Sequence, residues 1–168
     1  VGIAPVLSVI DNYKKICNAS IVSLHPWLSY QNLVDGSVRS ISNPGHSWND
    51  YALGRASTES LIPKQTSIKD ALRDLLPEHI KISAMSFRTP TSIVTSAILH
   101  INFKEEIDFL ESDIINLFNQ KSLREFVAIN CESLVSIDFR QRPDSSIIDK
   151  RFIEIIDAKT LRIIIWYD

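Results

Sequence analysis

Apolar and polar positions alternate most regularly between Ile80 and Phe103. Ile80-Lys81-Ile82-Ser83-Ala84-Met85-Ser86-Phe87 has the period of a strand, and Arg88-Thr89-Pro90-Thr91 breaks it. Ser92 to Phe103 resumes the alternation with β-branched residues, which pack well on a pleated surface. Two such runs around a proline predict a hairpin. A second pair follows at the C-terminal end, Phe152–Asp157 and Leu161–Tyr167, joined by Asp157-Ala158-Lys159-Thr160. A helix over Ile147–Asp157 competes there, because Ile148, Phe152 and Ile155 also fit helical spacing. The density of isoleucine favours strands.

Four stretches carry helical period instead. Val6, Val9, Ile10, Tyr13, Ile16 and Cys17 share one face, with Pro5 in the first turn, and that helix ends near Asn18. A short strand over Ile21–Leu24 is then stopped by His25-Pro26. Thr66 or Ser67 opens a helix with the stripe Ile68, Ala71, Leu72, Leu75 and Leu76, in which Ser67 and Asp70 form a capping box and Pro77 is the stop. Lys104–Asn119 turns Ile107, Leu110, Ile114, Leu117 and Phe118 inward, and Glu105 and Glu106 suit its positive end. Ser122–Leu134 does the same with Leu123, Phe126, Val127, Cys131 and Leu134. The predicted fold is α+β, a mostly antiparallel sheet made of two hairpins with two or more amphipathic helices packed on one face. One domain over residues 1–168 is expected from the length, and with Val1 in place of Met a processed form, a trimmed version or a domain cut from a longer chain is expected.

Charge and composition narrow the function classes. A net charge of −2 gives no basic footprint for coating nucleic acid. No apolar run approaches the ~20 residues of a membrane span, so no membrane partner is expected. Cys17 and Cys131 fall on the apolar sides of predicted helices and are expected as buried free thiols, which places the chain in a reducing, cytoplasmic setting. The four glycines form neither G-x-G-x-x-G nor a phosphate loop, so no nucleotide cofactor is expected.

Candidate chemistry concentrates in an aperiodic stretch, Ser37 to Gln65. His46, Trp48, Asp50, Tyr51 and Arg55 stand there with no periodic reason, and aromatic and arginine side chains anchor interfaces. His100 is expected as a hydrogen-bonded sheet histidine, while His25 and His79 stand at element ends beside prolines and carry no pattern. These features favour a non-catalytic protein-interaction domain (an adaptor, a regulatory module or an inhibitor or immunity-type binder) whose partner is another protein. A small-molecule-binding regulatory domain, with a pocket lined from the Trp27–Tyr51 region, is a further alternative.

One motif points elsewhere. Pro143-Asp144, a β-rich run, and then Asp157-Ala158-Lys159 resembles the signature of restriction-endonuclease-like nucleases. That resemblance implies Mg²⁺ held by Asp144 and Asp157, with Lys159 helping to orient a water against a phosphodiester. Nucleic acid is a partner only on this alternative. Asp-Ala-Lys-Thr is also an ordinary hairpin connection, and that is the favoured reading.

Overall fold

A computed structural model describes residues 2–29, 31–39, 47–48, 52 and 54–168, with backbone alone for Val38, Arg39, Ser47 and Trp48. The elements run α1 (Ile3–Tyr13), β1 (Ile16–Pro26), β2 (Val38–Arg39), β3 (Ser47–Trp48), β4 (Ile62–Lys64), α2 (Ile68–Arg73), β5 (Lys81–Thr89), β6 (Thr95–Phe103), α3 (Glu111–Phe118), β7 (Val127–Asn130), β8 (Ser146–Asp149), β9 (Glu154–Asp157) and β10 (Thr160–Tyr167). Eight strands make one sheet in the order β4-β5-β1-β6-β10-β8-β7, with β9 also paired to β10. The sheet is mixed: β1 runs parallel to β5 and antiparallel to β6, and β7 runs parallel to β8.

The predicted fold class is therefore corrected. The runs around Pro90 are both strands, but they do not pair with each other, because β1 lies between them. An eleven-residue β1 supplies hydrogen-bonding edges to both neighbours, which a local hairpin would have left to only one. Ile16 and Cys17, expected to end the first helix, instead open that strand. The helices are three and short among the described residues. Backbone N–H groups of Lys104 and Ile107 are taken by the carbonyls of Lys15 and Ala158, so α3 cannot begin until Glu111. The helix expected over Ser122–Leu134 is a turn followed by β7, whose Val127 and Ile129 suit a strand beside β8. The Ser67–Asp70 capping box is absent, since Ser67 makes no side-chain capping bond. Both cysteines are exposed rather than buried. At the end of the chain β9 and β10 do form a hairpin through the turn at Asp157–Thr160, and β10 pairs with β6.

Register divides the sheet into two sides of alternating residues. Toward the core, successive cross-strand rows are Ile82-Ala19-Ile101-Leu161, Ala84-Ile21-Leu99-Ile163 and Ser86-Ser23-Ala97-Ile165. They share one cluster with Val6, Leu7 and Ile10 of α1, Leu72 of α2, and Ile114 and Phe118 of α3. The next row at the same edge abandons apolar residues. There β5, β1, β6 and β10 contribute Arg88, His25, Thr95 and Tyr167.

Candidate functional site

Because β1 and β5 are parallel, they end side by side, and each ends in a cation-capable residue followed closely by proline. His25 is half-buried, and its Nδ1 lies 3.2 Å from the Thr95 hydroxyl. Thr89 donates its hydroxyl to the His25 carbonyl at 2.9 Å and stands 2.8 Å from the Thr91 hydroxyl, so the β1 and β5 ends are tied together beyond the ladder. Among the described residues the Nε2 of His25 has no hydrogen-bond partner, which leaves that nitrogen available to a substrate. Burial, and then the positive charges of Arg88 and Lys64, hold the imidazole below its usual 6.5. It is therefore neutral at neutral pH and able to accept a proton.

Arg88 donates Nη1 to the Pro26 carbonyl at 3.1 Å, while its buried Nε has no partner among the described residues. A guanidinium so placed is suited to an anion. Lys64 on β4 lies opposite Ser86, one row back from Arg88 on the same side of the sheet. The connection from β5 to β6 holds Val94 at φ 69°, a left-handed conformation that costs a β-branched residue energy, with its side chain buried. This fixes the entry of Thr95 beside His25. At the far end of the row, α1 begins against Tyr167: a Cβ on Gly2 would lie 2.8 Å from the Tyr167 ring and 2.9 Å from the Ser145 carbonyl oxygen. The absence of a side chain there lets the positive end of the helix approach the row. Burial raises the Tyr167 phenol to about 12.

No cysteine flanks the imidazole. Cys17 is eight positions earlier in the same strand, roughly 26 Å away at ~3.3 Å per residue. Cys131 follows β7, across four intervening strand spacings from β1. The groove of about 430 Å³ on the opposite side of the sheet, floored by Leu24, Ile98, Ile164 and Trp166, is apolar and has no titratable lining residue among those described.

Of the residues singled out from the sequence, those described with their side chains, Arg55, Asp144, Asp157 and Lys159, do not belong to this row. His46, Asp50 and Tyr51 fall outside the described residues, and Trp48 is described only as the backbone partner of Val38. Arg55 is exposed and bonded to Asp35 at 3.0 Å, and the Asp35 carboxyl is held below its usual range by the Ala56 N–H and by Arg55. Asp144 pairs with Arg142 at 3.0 Å. Asp157 accepts from the Lys159 N–H at 2.7 Å and from the Thr160 hydroxyl at 3.0 Å, the bonds of a turn. Asp144 and Asp157 belong to opposite ends of β10, some seven residues or ~23 Å apart, so they share no metal and Lys159 faces no joint site. Among the described residues no group of three or more His, Cys, Asp or Glu could hold a metal. Neither His25 nor Arg88 sits in a sequence motif. The usable signal was that two β-rich runs both end in a basic residue just before a proline.

A family model described as "Glyceraldehyde 3-phosphate dehydrogenase, C-terminal domain" matches residues 1–168. "Glyceraldehyde-3-phosphate dehydrogenase 2" of Staphylococcus aureus (strain COL) is 28% identical over 167 residues, covering 99% of this chain and 46% of the relative. The protein of the same description from Staphylococcus epidermidis is 27% identical over the same length and coverage. The chain thus spans about half the length of the curated relatives it matches. These matches overturn the reading as a non-catalytic adaptor, regulatory module or inhibitor, and the nuclease alternative with it. They also overturn the expectation of no nucleotide cofactor, since members of this family use NAD(P). Both expectations rested on missing motifs, and a motif missing from this stretch says nothing of a companion segment.

Proposed function

We propose, for a chain that belongs to the glyceraldehyde 3-phosphate dehydrogenase C-terminal domain family, that it supplies the proton acceptor and the anion clamp of an aldehyde dehydrogenation. The observation that carries this is the half-buried, neutral imidazole of His25 beside Arg88 at the shared end of β1 and β5. Oxidising an aldehyde by loss of hydride passes through a tetrahedral adduct, whose hydroxyl proton must leave as the carbonyl re-forms. Nε2 of His25 accepts that proton, and the Thr95 hydroxyl at Nδ1 holds the ring. Arg88 grips the negatively charged end of the substrate and so orients the reacting carbon.

The hydride acceptor is the NAD(P) that the family uses, and this chain's residues do not fit a dinucleotide on their own. No pair of its four glycines has the spacing that cradles a pyrophosphate. We assign nucleotide binding to sequence outside these residues, and the attacking nucleophile likewise. Among the described residues no helix is long and apolar enough to cross a membrane, and the cytoplasmic placement remains part of this reading.

A protein partner is the further part of this reading, and the outer side of the sheet supports it. Met85-Val22-Ile98-Ile164 and Phe87-Leu24-Ser96-Trp166 make two largely apolar rows there, beside two polar rows. Met85 is 47% exposed, and an apolar surface of that extent on a sheet suits another protein.

The test of the site uses the protein that carries this chain, supplied with glyceraldehyde 3-phosphate and NAD(P), and reads the appearance of reduced nucleotide. Replacing His25 by Asn should cut kcat by ~10²–10⁴, the usual contribution of general acid–base catalysis. Replacing Arg88 by Met should act mainly on KM. A His25→Asn enzyme with kcat unchanged would end the reading.

A further inference from the structure

Asp149 is fully buried at the end of β8, and its carboxylate does more than its own turn requires. Oδ1 accepts the Arg151 N–H at 3.2 Å and its Nε at 2.8 Å, and Oδ2 accepts its Nη2 at 2.6 Å. Those bonds hold the 3₁₀ turn Lys150–Phe152. Oδ2 also accepts the indole N–H of Trp166 at 3.1 Å, which the turn does not need. Burial pushes this carboxyl up, but the bonds from Arg151 and Trp166 outweigh it and hold it below its usual range. The Trp166 ring stacks on Phe139, with centroids 5.2 Å apart and planes at 20°. Phe139, Val94 and Ile147 form a buried cluster on which Trp166 and Leu134 pack, and Arg151 donates Nη2 to the Leu134 carbonyl at 2.8 Å. Val94 holds φ 69° inside that cluster, and the next residue, Thr95, places its hydroxyl 3.2 Å from Nδ1 of His25. Trp166 pairs with Ser96 and lines the groove on the opposite side of the sheet, so it acts on the imidazole only through this chain of contacts.

We propose that Asp149 is a positioning residue of the His25 site: by fixing the Trp166 indole it holds the Phe139–Val94 cluster in the packing that keeps the Thr95 hydroxyl on the imidazole. The proposal rests on the reading of the site given above. A left-handed backbone at a β-branched residue persists only where its surroundings over-determine it. Val94 is 4% exposed, and Phe139 is part of the wall that confines it. A stacked ring can slide on its partner, whereas an N–H bonded to a buried carboxylate fixes the partner in direction as well as distance. Relaxation of Val94 would rotate the backbone just before Thr95 and draw the hydroxyl off Nδ1, leaving Arg88 on β5 in place. A buried ion pair adds little stability over apolar residues of the same volume, and its best-attested use is to select one arrangement among several. Here the arrangement selected is the one that orients the base.

The experiment compares parent, Trp166→Phe, Asp149→Asn, the double variant and Leu72→Ala in the protein that carries this chain. Each is assayed with glyceraldehyde 3-phosphate and NAD(P) at a temperature where it is folded, and the His25 ring nitrogen resonances are recorded. Trp166→Phe keeps a ring to stack on Phe139 and removes only the donor to Asp149. It should lower kcat about 2- to 30-fold, the range seen for residues that act through others, and should shift the Nδ1 resonance. KM should stay within about twofold, because Arg88 is untouched. Asp149→Asn should act in the same direction, and in the Trp166→Phe background it should add less than about twofold, since both remove one bond. Leu72→Ala, a core truncation away from this cluster, should leave kcat and the ring resonances unchanged. A loss in Leu72→Ala equal to that in Trp166→Phe would make the effect one of general stability and overturn the proposal. So would an Asp149→Asn loss as large in the double variant as alone. Should Asp149→Asn not fold, Trp166→Phe decides by itself. Ring resonances and kcat unmoved in Trp166→Phe, in a protein whose kcat His25→Asn abolishes, would sink this proposal and leave the site standing. A kcat indifferent to His25→Asn would remove the site reading and this one with it.

Discussion

Asp11 should prove to be the joint on which α1 and β1 turn. Its carboxylate is 1% exposed and accepts the Ile16 N–H at 2.9 Å, His79 Nε2 at 2.9 Å and Lys15 Nζ at 2.9 Å. Replacing it by Ala orphans a buried backbone donor at the start of β1, which costs about 1–3 kcal/mol. The His79 contact adds roughly 1 kcal/mol, and the exposed Lys15 contributes less than that. Asp11→Ala should therefore lose about 2–4 kcal/mol at neutral pH, and Asp11→Asn, which keeps one acceptor, about 1–2. Burial alone would raise this carboxyl, but the bonds from His79, Lys15 and Ile16 outweigh it and hold it below 3.8. The folded chain thus holds this proton less tightly than the unfolded one, so the contribution is present above pH ~3.8 and fades as pH falls through the folded pKa. Urea unfolding followed by circular dichroism measures both effects. A deficit for Asp11→Ala under ~0.5 kcal/mol at pH 7, the scale of ordinary surface changes, would refute the joint. So would an Asp11→Asn deficit that stays constant down to about pH 2.

Leu72→Ala should lose about 2–5 kcal/mol, because Leu72 is 4% exposed, whereas Leu110→Ala should stay within about 0.5, because Leu110 is 69% exposed; equal losses in denaturant titration would contradict the assigned core. kcat/KM should fall as pH drops through the folded pKa of His25, which burial, Arg88 and Lys64 hold under 6.5, and a profile unchanged across the pH at which the His25 ring resonances are seen to titrate would exclude the imidazole as base. Gly2→Ala should cost about 1–3 kcal/mol by forcing a Cβ against Tyr167 and the Ser145 carbonyl, and an unchanged Tm would show that the first turn of α1 yields instead.

What could be read from the sequence was local. Alternation predicts strands over Ile80–Phe87, Ser92–Phe103 and Leu161–Tyr167, observed as Lys81–Thr89, Thr95–Phe103 and Thr160–Tyr167, and the turn at Asp157–Thr160, because those patterns depend on neighbours two or four positions away. Pairing was not legible. Nothing near Pro90 says that a strand from sixty residues earlier inserts between its two flanks, since the energy of that insertion lies in ladders between distant residues. Helix stripes misled where backbone donors had tertiary acceptors, as at Ile107, or where β-branched residues found a parallel neighbour, as at Val127 and Ile129. The site failed to show for the same reason as the pairing. His25 and Arg88 are sixty-three positions apart and meet only because β1 and β5 run parallel.

That parallel pair also explains why the chemistry sits where it does. Along β1 toward Pro26 the core-side residues run Ala19, Ile21, Ser23, His25, and along β5 they run Ile82, Ala84, Ser86, Arg88. Both strands pass from apolar through a small hydroxyl to a cation-capable group in step, so polarity rises along one direction of the sheet. An antiparallel partner would have placed Arg88 beside Ala19, in the dry core, where an unpaired guanidinium costs several kcal/mol. The strained Val94 belongs to the same arrangement. With β1 occupying the middle, the chain must cross its end to enter β6, and a φ of 69° at a buried valine is the local cost of setting the Thr95 hydroxyl against His25. The strain is held by Phe139 and Ile147, which pack on Val94 and share its cluster with Trp166 on the outer side. Ordering of this apolar cluster on one side of the sheet is thus coupled, through one residue, to the orientation of the imidazole on the other.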